Sequence, residues 1–134
     1  MAGRAGTVIS VARVGRPSVA HATAVGKVVL AFGRDGLAAV EGRTLTRYTA
    51  RTITDEEALG REVEAVRVEG VARAVGEREP DLNAVAVPVF DARGDLAAVL
   101  GLQGPAVRFT PEMLEAALPT LRRAGRDVSR ALGA

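Results

Sequence analysis

The sequence predicts an α+β domain in which helices pack on a mainly antiparallel sheet. Three observations carry this expectation. Along the chain the elements read strand, helix, short helix, helix, strand, two-strand hairpin, helix. Two β-rich runs, 83–91 and 96–104, flank the turn Ala92-Arg-Gly-Asp95 and read as the hairpin. The helical segments also carry their own start and stop signals. At 134 residues the chain suits a single domain (1–134), which can bury roughly two thirds of its unfolded surface.

Each element has its own justification. Thr7 to Val14, TVISVARV, has the β-branched character of a strand, and Gly15-Arg-Pro-Ser18 ends it. Thr23 is placed to cap a helix from Ala24 to Phe32 that closes at Gly33. Asp35 is placed to cap a short helix through Leu37 and Val40, stopped by Gly42. TRYTARTIT, 46–54, reads as a loop or short extended piece. Thr54-Asp-Glu-Glu57 has capping-box spacing, in which the Thr54 hydroxyl accepts from the Glu57 amide and the Glu57 carboxylate reaches back. Behind it Leu59, Val63 and Val66 repeat at helical spacing, and Gly70 supplies the stop.

Val71 to Glu77 then reads as extended. Pro88 lacks a backbone donor, so its strand is expected to lie at an edge there or to donate nothing at that residue. Thr110-Pro-Glu112 opens the last helix, with Thr as cap and Pro at the first helical position. Its expected apolar stripe is Leu114, Leu118, Leu121, Val128 and Leu132, and Pro119 should kink or divide it.

Composition excludes several classes. The chain is 48% hydrophobic and 25% charged, an ordinary globular balance, and with 3% aromatics the core must be built of Val, Leu and Ala. No apolar run approaches the roughly 20 residues of a membrane span. MAGRAGTVIS lacks the basic flank and apolar stretch of a secretory signal, so a cytoplasmic location with no membrane contact is expected. The absence of cysteine rules out a disulfide framework and a thiolate zinc site. The isoelectric point near 9.9 reflects arginine chemistry, since net charge is only +2. The arginines are scattered, whereas a DNA-binding footprint clusters them on one face. Arg122, Arg123, Arg126 and Arg130 gather near the C-terminus, where they complement a helix dipole.

HATAVGKVVLAF, 21–32, holds the only histidine and the only lysine. A phosphate loop needs glycine, four residues, then Gly-Lys-Ser/Thr. Here His21 stands where the first glycine should be and Val28 where the hydroxyl should be, so the motif fails. His21 has no nucleophile or carboxylate at triad spacing and reads as a packed or capping residue. The acidic segments Asp55-Glu-Glu57 and Glu77 to Asp81 lack calcium-loop spacing. No catalytic residue, metal site or cofactor loop is therefore expected, and the chain does not read as an enzyme. What remains is a helix start. The N–H groups of Ala24, Val25 and Gly26, with the helix dipole, can accept a carboxylate or other small anion, and small Ala22 and Ala24 leave room for its approach.

Four ordered motifs resemble the C-terminal effector-binding domain of IclR-type bacterial transcription regulators. HATAVGKVVLAF is similar to the family's H-A-T-A-x-G-K-x-x-L-A signature. YTARTITDEEAL followed by EVEAVRVEG resembles its Y-T-x-x-T-I-T segment and the helix ending in R-x-x-G. AVAVPVFDARGDLAAVLGLQGP resembles its hairpin, and SRALG matches the family's terminal helix. The resemblance implies a GAF/profilin-like fold, a curved antiparallel sheet with helices on its faces and a pocket at one side. It implies that a metabolite, such as an organic or aromatic acid, binds here and allosterically controls an N-terminal winged helix-turn-helix. That DNA-binding part, and the first strand or strands of the sensor, are expected to be missing from this chain.

The family's pocket positions carry over onto the helix start at Thr23, Ala24, Val25 and Gly26. They continue at Ala74, where an acidic residue is usual, then at apolar Leu82 and at Ala84. The last hairpin strand adds Gly101, Leu102 and Gln103. Alanine at 74 and 84 and glycine at 101 remove side-chain hydrogen-bond partners, leaving Gln103 and Thr23 as polar groups. Such a pocket suits a larger or more apolar ligand held by shape. The resemblance also implies a homodimer or tetramer, and the alternative reading is an oligomerisation module that has lost ligand sensing.

Overall fold

Thr23 Oγ1 accepts the Gly26 amide at 3.0 Å, and this cap starts α1, Ala24–Phe32, which ends at Gly33 as the sequence predicts. The computed structural model describes residues 19–134 and the backbone of 8–12. The first strand, β1, is Val8–Ala12; the remainder of the predicted strand and the break at 15–18 lie outside the described residues. A single 3₁₀ turn follows α1 at Gly36–Ala39. Asp35 sits at its cap position, but its side chain makes no capping bond.

α2, Glu56–Glu69, is capped by Asp55 and not by Thr54. The Asp55 carboxylate accepts the Ala58 amide at 2.9 Å, placing a negative charge at the positive end of the helix. The Thr54 hydroxyl is occupied elsewhere, accepting from Arg47 Nη2 at 3.0 Å. Gly70 ends the helix at φ +77°, a left-handed conformation that glycine adopts without a Cβ penalty.

Beyond it lie β2, Ala72–Val75, then β3, Leu82–Phe90, and β4, Leu96–Pro105. The sheet is antiparallel throughout in the order β1-β4-β3-β2, so the hairpin forms its centre. β2 begins at Ala72, opposite Ala86, so from Val87 onward β3 has no neighbour on that side. Pro88 falls there, as its missing donor requires. The Phe90 amide, two residues on, donates to Ser129 Oγ at 3.0 Å.

Strand alternation divides the core in two. One face presents Ala72, Ala74, Ala84, Ala86 and Val99 to α1, with α2 packed outside it through Leu59, Val63 and Val66. These small strand residues let α1 lie close to the sheet. The other face presents Val85, Val87, Val89 and Leu100 to Leu114, Leu118 and Leu121 of α3, Pro111–Ala131. Thr110 caps α3 by accepting the Met113 amide, with Pro111 at its first position as expected.

Two expectations for α3 need correction. Of the kink or division expected at Pro119, the division does not occur: the helix runs through that residue, which lies exposed on the solvent side. Val128 and Leu132 do not extend the buried stripe, being 42% and 46% exposed. From Leu121 the i+4 steps fall on Gly125 and Ser129, and these two face the strand instead. A Cβ at Gly125 would stand 3.0 Å from Val87 Cγ2, so glycine sets the close approach of α3 to β3.

Candidate ligand site at the start of the first helix

The fold brings most of the expected site residues together on one face of the sheet. Ala74, Ala84 and Gln103 form a row across β2, β3 and β4, since Ala74 pairs with Ala84 and Ala84 with Gln103. Gly101 pairs with Ala86 in the next row, and a Cβ there would lie 3.7 Å from Val25 Cγ2. The start of α1 therefore lies over β4 where the side chain is smallest. Leu82 stands at the open end of the hairpin, opposite Pro105. Ala24 and Ala74 are buried within the α1-facing cluster, whereas Val25, Leu82 and Ala84 are half-buried and Gln103 is exposed. The exposed rim of the site is thus made by β3 and β4.

Three expectations change. Leu102 packs in the α3-facing cluster, because its neighbours Gly101 and Gln103 already occupy the α1 side and side chains alternate along a strand. The Gly26 amide is consumed by the Thr23 cap, leaving Ala24 and Val25 as the two opening amides with no acceptor inside the helix. The Thr23 hydroxyl is itself engaged, donating to the Val19 carbonyl at 3.3 Å while it accepts from Gly26. Gln103 remains as the polar side chain of the row.

His21 is packed, as the sequence suggests. It is 1% exposed, its Nε2–H donates to the Thr46 carbonyl at 2.8 Å, and its ring stacks on Tyr48 at 5.9 Å. The Arg78 guanidinium lies over the other ring of this pair, 4.1 Å from the Tyr48 centroid. The loop carrying Tyr48 is stapled to the end of β2: the Thr49 and Thr52 hydroxyls donate to the Gly76 and Glu77 carbonyls, each at 2.6 Å.

Lys27 does more than the sequence revealed. Its side chain is fully buried, and Nζ lies 2.8 Å from Glu62 Oε2, 2.7 Å from Glu77 Oε1 and 2.8 Å from the Arg73 carbonyl. The ammonium donates to Glu62 on α2 and to the Arg73 carbonyl on β2, and Glu77, just after β2, stands at ion-pair distance. Burial pushes the Glu77 carboxyl above its ordinary value; Lys27 opposes that shift and neighbouring Glu62 adds to it. No local motif announces this arrangement. The one available signal is that lysine occurs once among eighteen cationic side chains.

Residues 2–130 match the family model described as bacterial transcriptional regulator IclR C-terminal. The chain belongs to this family. It is 39% identical over 123 residues to the HTH-type transcriptional regulator KdgR of Escherichia coli strain K12, a match covering 90% of this chain and 47% of KdgR. The solved C-terminal domain of E. coli KdgR superposes with a TM-score of 0.83 at 33% identity, over 96% of this chain and 88% of that one. The inducer-binding domain of the Acinetobacter PobR transcription factor, solved as a double mutant with 3-hydroxybenzoic acid, superposes with a TM-score of 0.75 at 34% identity. That match covers 82% of this chain and 65% of the PobR chain. The chain spans about half the length of the curated relatives it matches.

The IclR-type domain has the α+β architecture expected of it. Among its described residues no group of three or more His, Asp or Glu is arranged to hold a metal ion, and no helix is long and apolar enough to cross a membrane. A cavity of about 410 Å³ lies on the other flank of α1, between Val29, Phe32, Ala39 and Leu96, and shares only Gly26 with the expected site.

Proposed function

We propose that this IclR-type domain is a small-molecule sensor that binds an organic or aromatic acid against the start of α1 and the rim of β3 and β4. Binding shifts the balance between two arrangements of a longer regulator, whose DNA-binding segment lies outside this chain. The observation that carries this reading is that Ala24 and Val25 at the start of α1 pack in one cluster with Ala74 and Ala84, in the row that Gln103 completes. The PobR inducer-binding domain, solved with an aromatic acid, supports the choice of ligand class.

The carboxylate meets the two amides and the positive end of the α1 dipole, and the ligand's apolar body lies over Ala84 and Gly101. Gln103 supplies a side-chain hydrogen bond at the rim. No step of this reading breaks a covalent bond, so the domain acts as a binding module in the cytoplasm and not as an enzyme.

Thermal-shift screening of this chain against organic and aromatic acids, with 3-hydroxybenzoate among them, tests the proposal. A bound acid at 100 times its Kd stabilises the fold by about 2.7 kcal/mol. A panel that leaves Tm unmoved, or a co-structure with the acid away from Ala24 and Gln103, overturns it. Assembly as a homodimer or tetramer belongs to the same reading, supported by exposed Val128 on α3 and Leu132 just past its end. Light scattering checks it, and a strict monomer would remove it.

A further inference from the structure

The Lys27 cluster lies where the two walls of the proposed site meet. Ala24 is one helical turn before Lys27 on α1, and Ala74 directly follows Arg73 on β2. The Lys27 ammonium bonds the Arg73 carbonyl and pairs with Glu77 just past the end of β2, so it spans the gap between these walls. Glu62 ties the same atom to α2. On its far side the end of β2 is fixed by Thr49 and Thr52.

Resting on the sensor reading above, we propose that Lys27, with Glu62 and Glu77, is the positioning element of the effector site. It sets the separation between the α1 start at Ala24 and Val25 and the β2 wall at Ala74. The cluster touches no ligand itself, because Lys27 has no exposed surface. Its chemistry also explains the residue choice. Two hydrogen-bond acceptors and a third, ion-paired carboxylate converge on one nitrogen, an arrangement that suits a compact ammonium and not a planar guanidinium fork. The chain uses arginine for every other cation.

The test is the variant Lys27→Met/Glu62→Gln/Glu77→Gln, which removes all the charges together and orphans none of them in the interior. Methyl NMR then compares Ala24, Ala74 and Ala84 with Leu114 and Leu118 in the α3-facing cluster. The expected result is a folded variant in which the three alanine methyls shift while the two leucines stay in place. Its affinity for 3-hydroxybenzoate should fall about tenfold, the equivalent of losing one fixed contact. Lys27→Arg should reproduce the alanine shifts and fail to rescue binding.

Alanine methyls at wild-type positions in the folded triple variant overturn the proposal, as does wild-type geometry in Lys27→Arg. If the triple variant does not fold, the Lys27→Arg spectrum decides. If wild-type protein binds no 3-hydroxybenzoate, that result counts against the sensor reading with this acid, and the methyl comparison still decides the role of Lys27.

Discussion

Arg73 and Glu115 meet side-on between sheet and helix: Arg73 Nε lies 2.6 Å from Glu115 Oε2, and Nη2 lies 3.0 Å from Oε1. The same guanidinium grips both oxygens of Glu69 at 2.8 and 2.7 Å, so one β2 side chain joins α2 to α3. The two carboxylates are 40% and 52% exposed, and solvent screens the pairing. Glu115→Ala is accordingly expected to cost about 1 kcal/mol in urea unfolding, with Arg73→Lys costing a similar amount because an ammonium cannot hold two carboxylates bidentately.

The start of α1 depends on its cap. Thr23→Ala leaves the Gly26 amide without its side-chain acceptor and should destabilise the domain by about 1 kcal/mol. Thr23→Ser keeps the oxygen and should lie within a few tenths of wild type. Thermal unfolding by circular dichroism separates the two.

Gly26 is the least replaceable position on that helix. A Cβ there would stand 2.3 Å from the Ala20 Cα and 2.5 Å from the Ala20 carbonyl oxygen, both backbone atoms. Gly26→Ala must push the preceding segment off the helix and should cost about 3 kcal/mol, at the upper end for overpacking. An unfolding midpoint near wild type would disprove that close approach.

Two glutamates should give pH slopes of opposite sign. The Glu69 carboxyl is held below its ordinary value, chiefly by its hydrogen bonds from Arg73. Its contribution is present above the unfolded value near 4.5 and is lost as pH falls through the folded one. The Glu77 carboxyl is raised, chiefly by burial, so its contribution is complete below the unfolded value near 4.5 and is lost as pH rises through the folded one. Stability measured against pH for Glu69→Gln should therefore converge on wild type at the acid end. For Glu77→Gln the wild-type margin should instead shrink as pH rises above that value.

Much of this was legible in the sequence because the deciding contacts are local. The Thr23 cap, the stop at Gly33, the left-handed Gly70 and the Thr110-Pro111 start each depend on neighbours within a turn. Where two adjacent residues could both cap α2, the choice was made by Arg47, which takes the Thr54 hydroxyl. Leu102 was separable in principle, since period-2 alternation forbids it to share a face with Gly101 and Gln103. Val128 missed the core because the buried row advances by four from Leu121 to Gly125 and on to Ser129. The Lys27 cluster was not legible at all. Its partners lie 35 residues away on α2 and 46 residues away on β2, and only the packed fold brings them to one atom.

The bond from the Phe90 amide to Ser129 has a consequence for how this domain meets other chains. Beyond the start of β2 at Ala72, the donors that β3 would offer on that side belong to Pro88 and Phe90. Proline has none, and the serine hydroxyl already holds the other. A foreign strand sliding along this margin finds no N–H to register on, so it cannot be templated into the sheet. To any unfolded segment in search of such a rail, the rail here is cut.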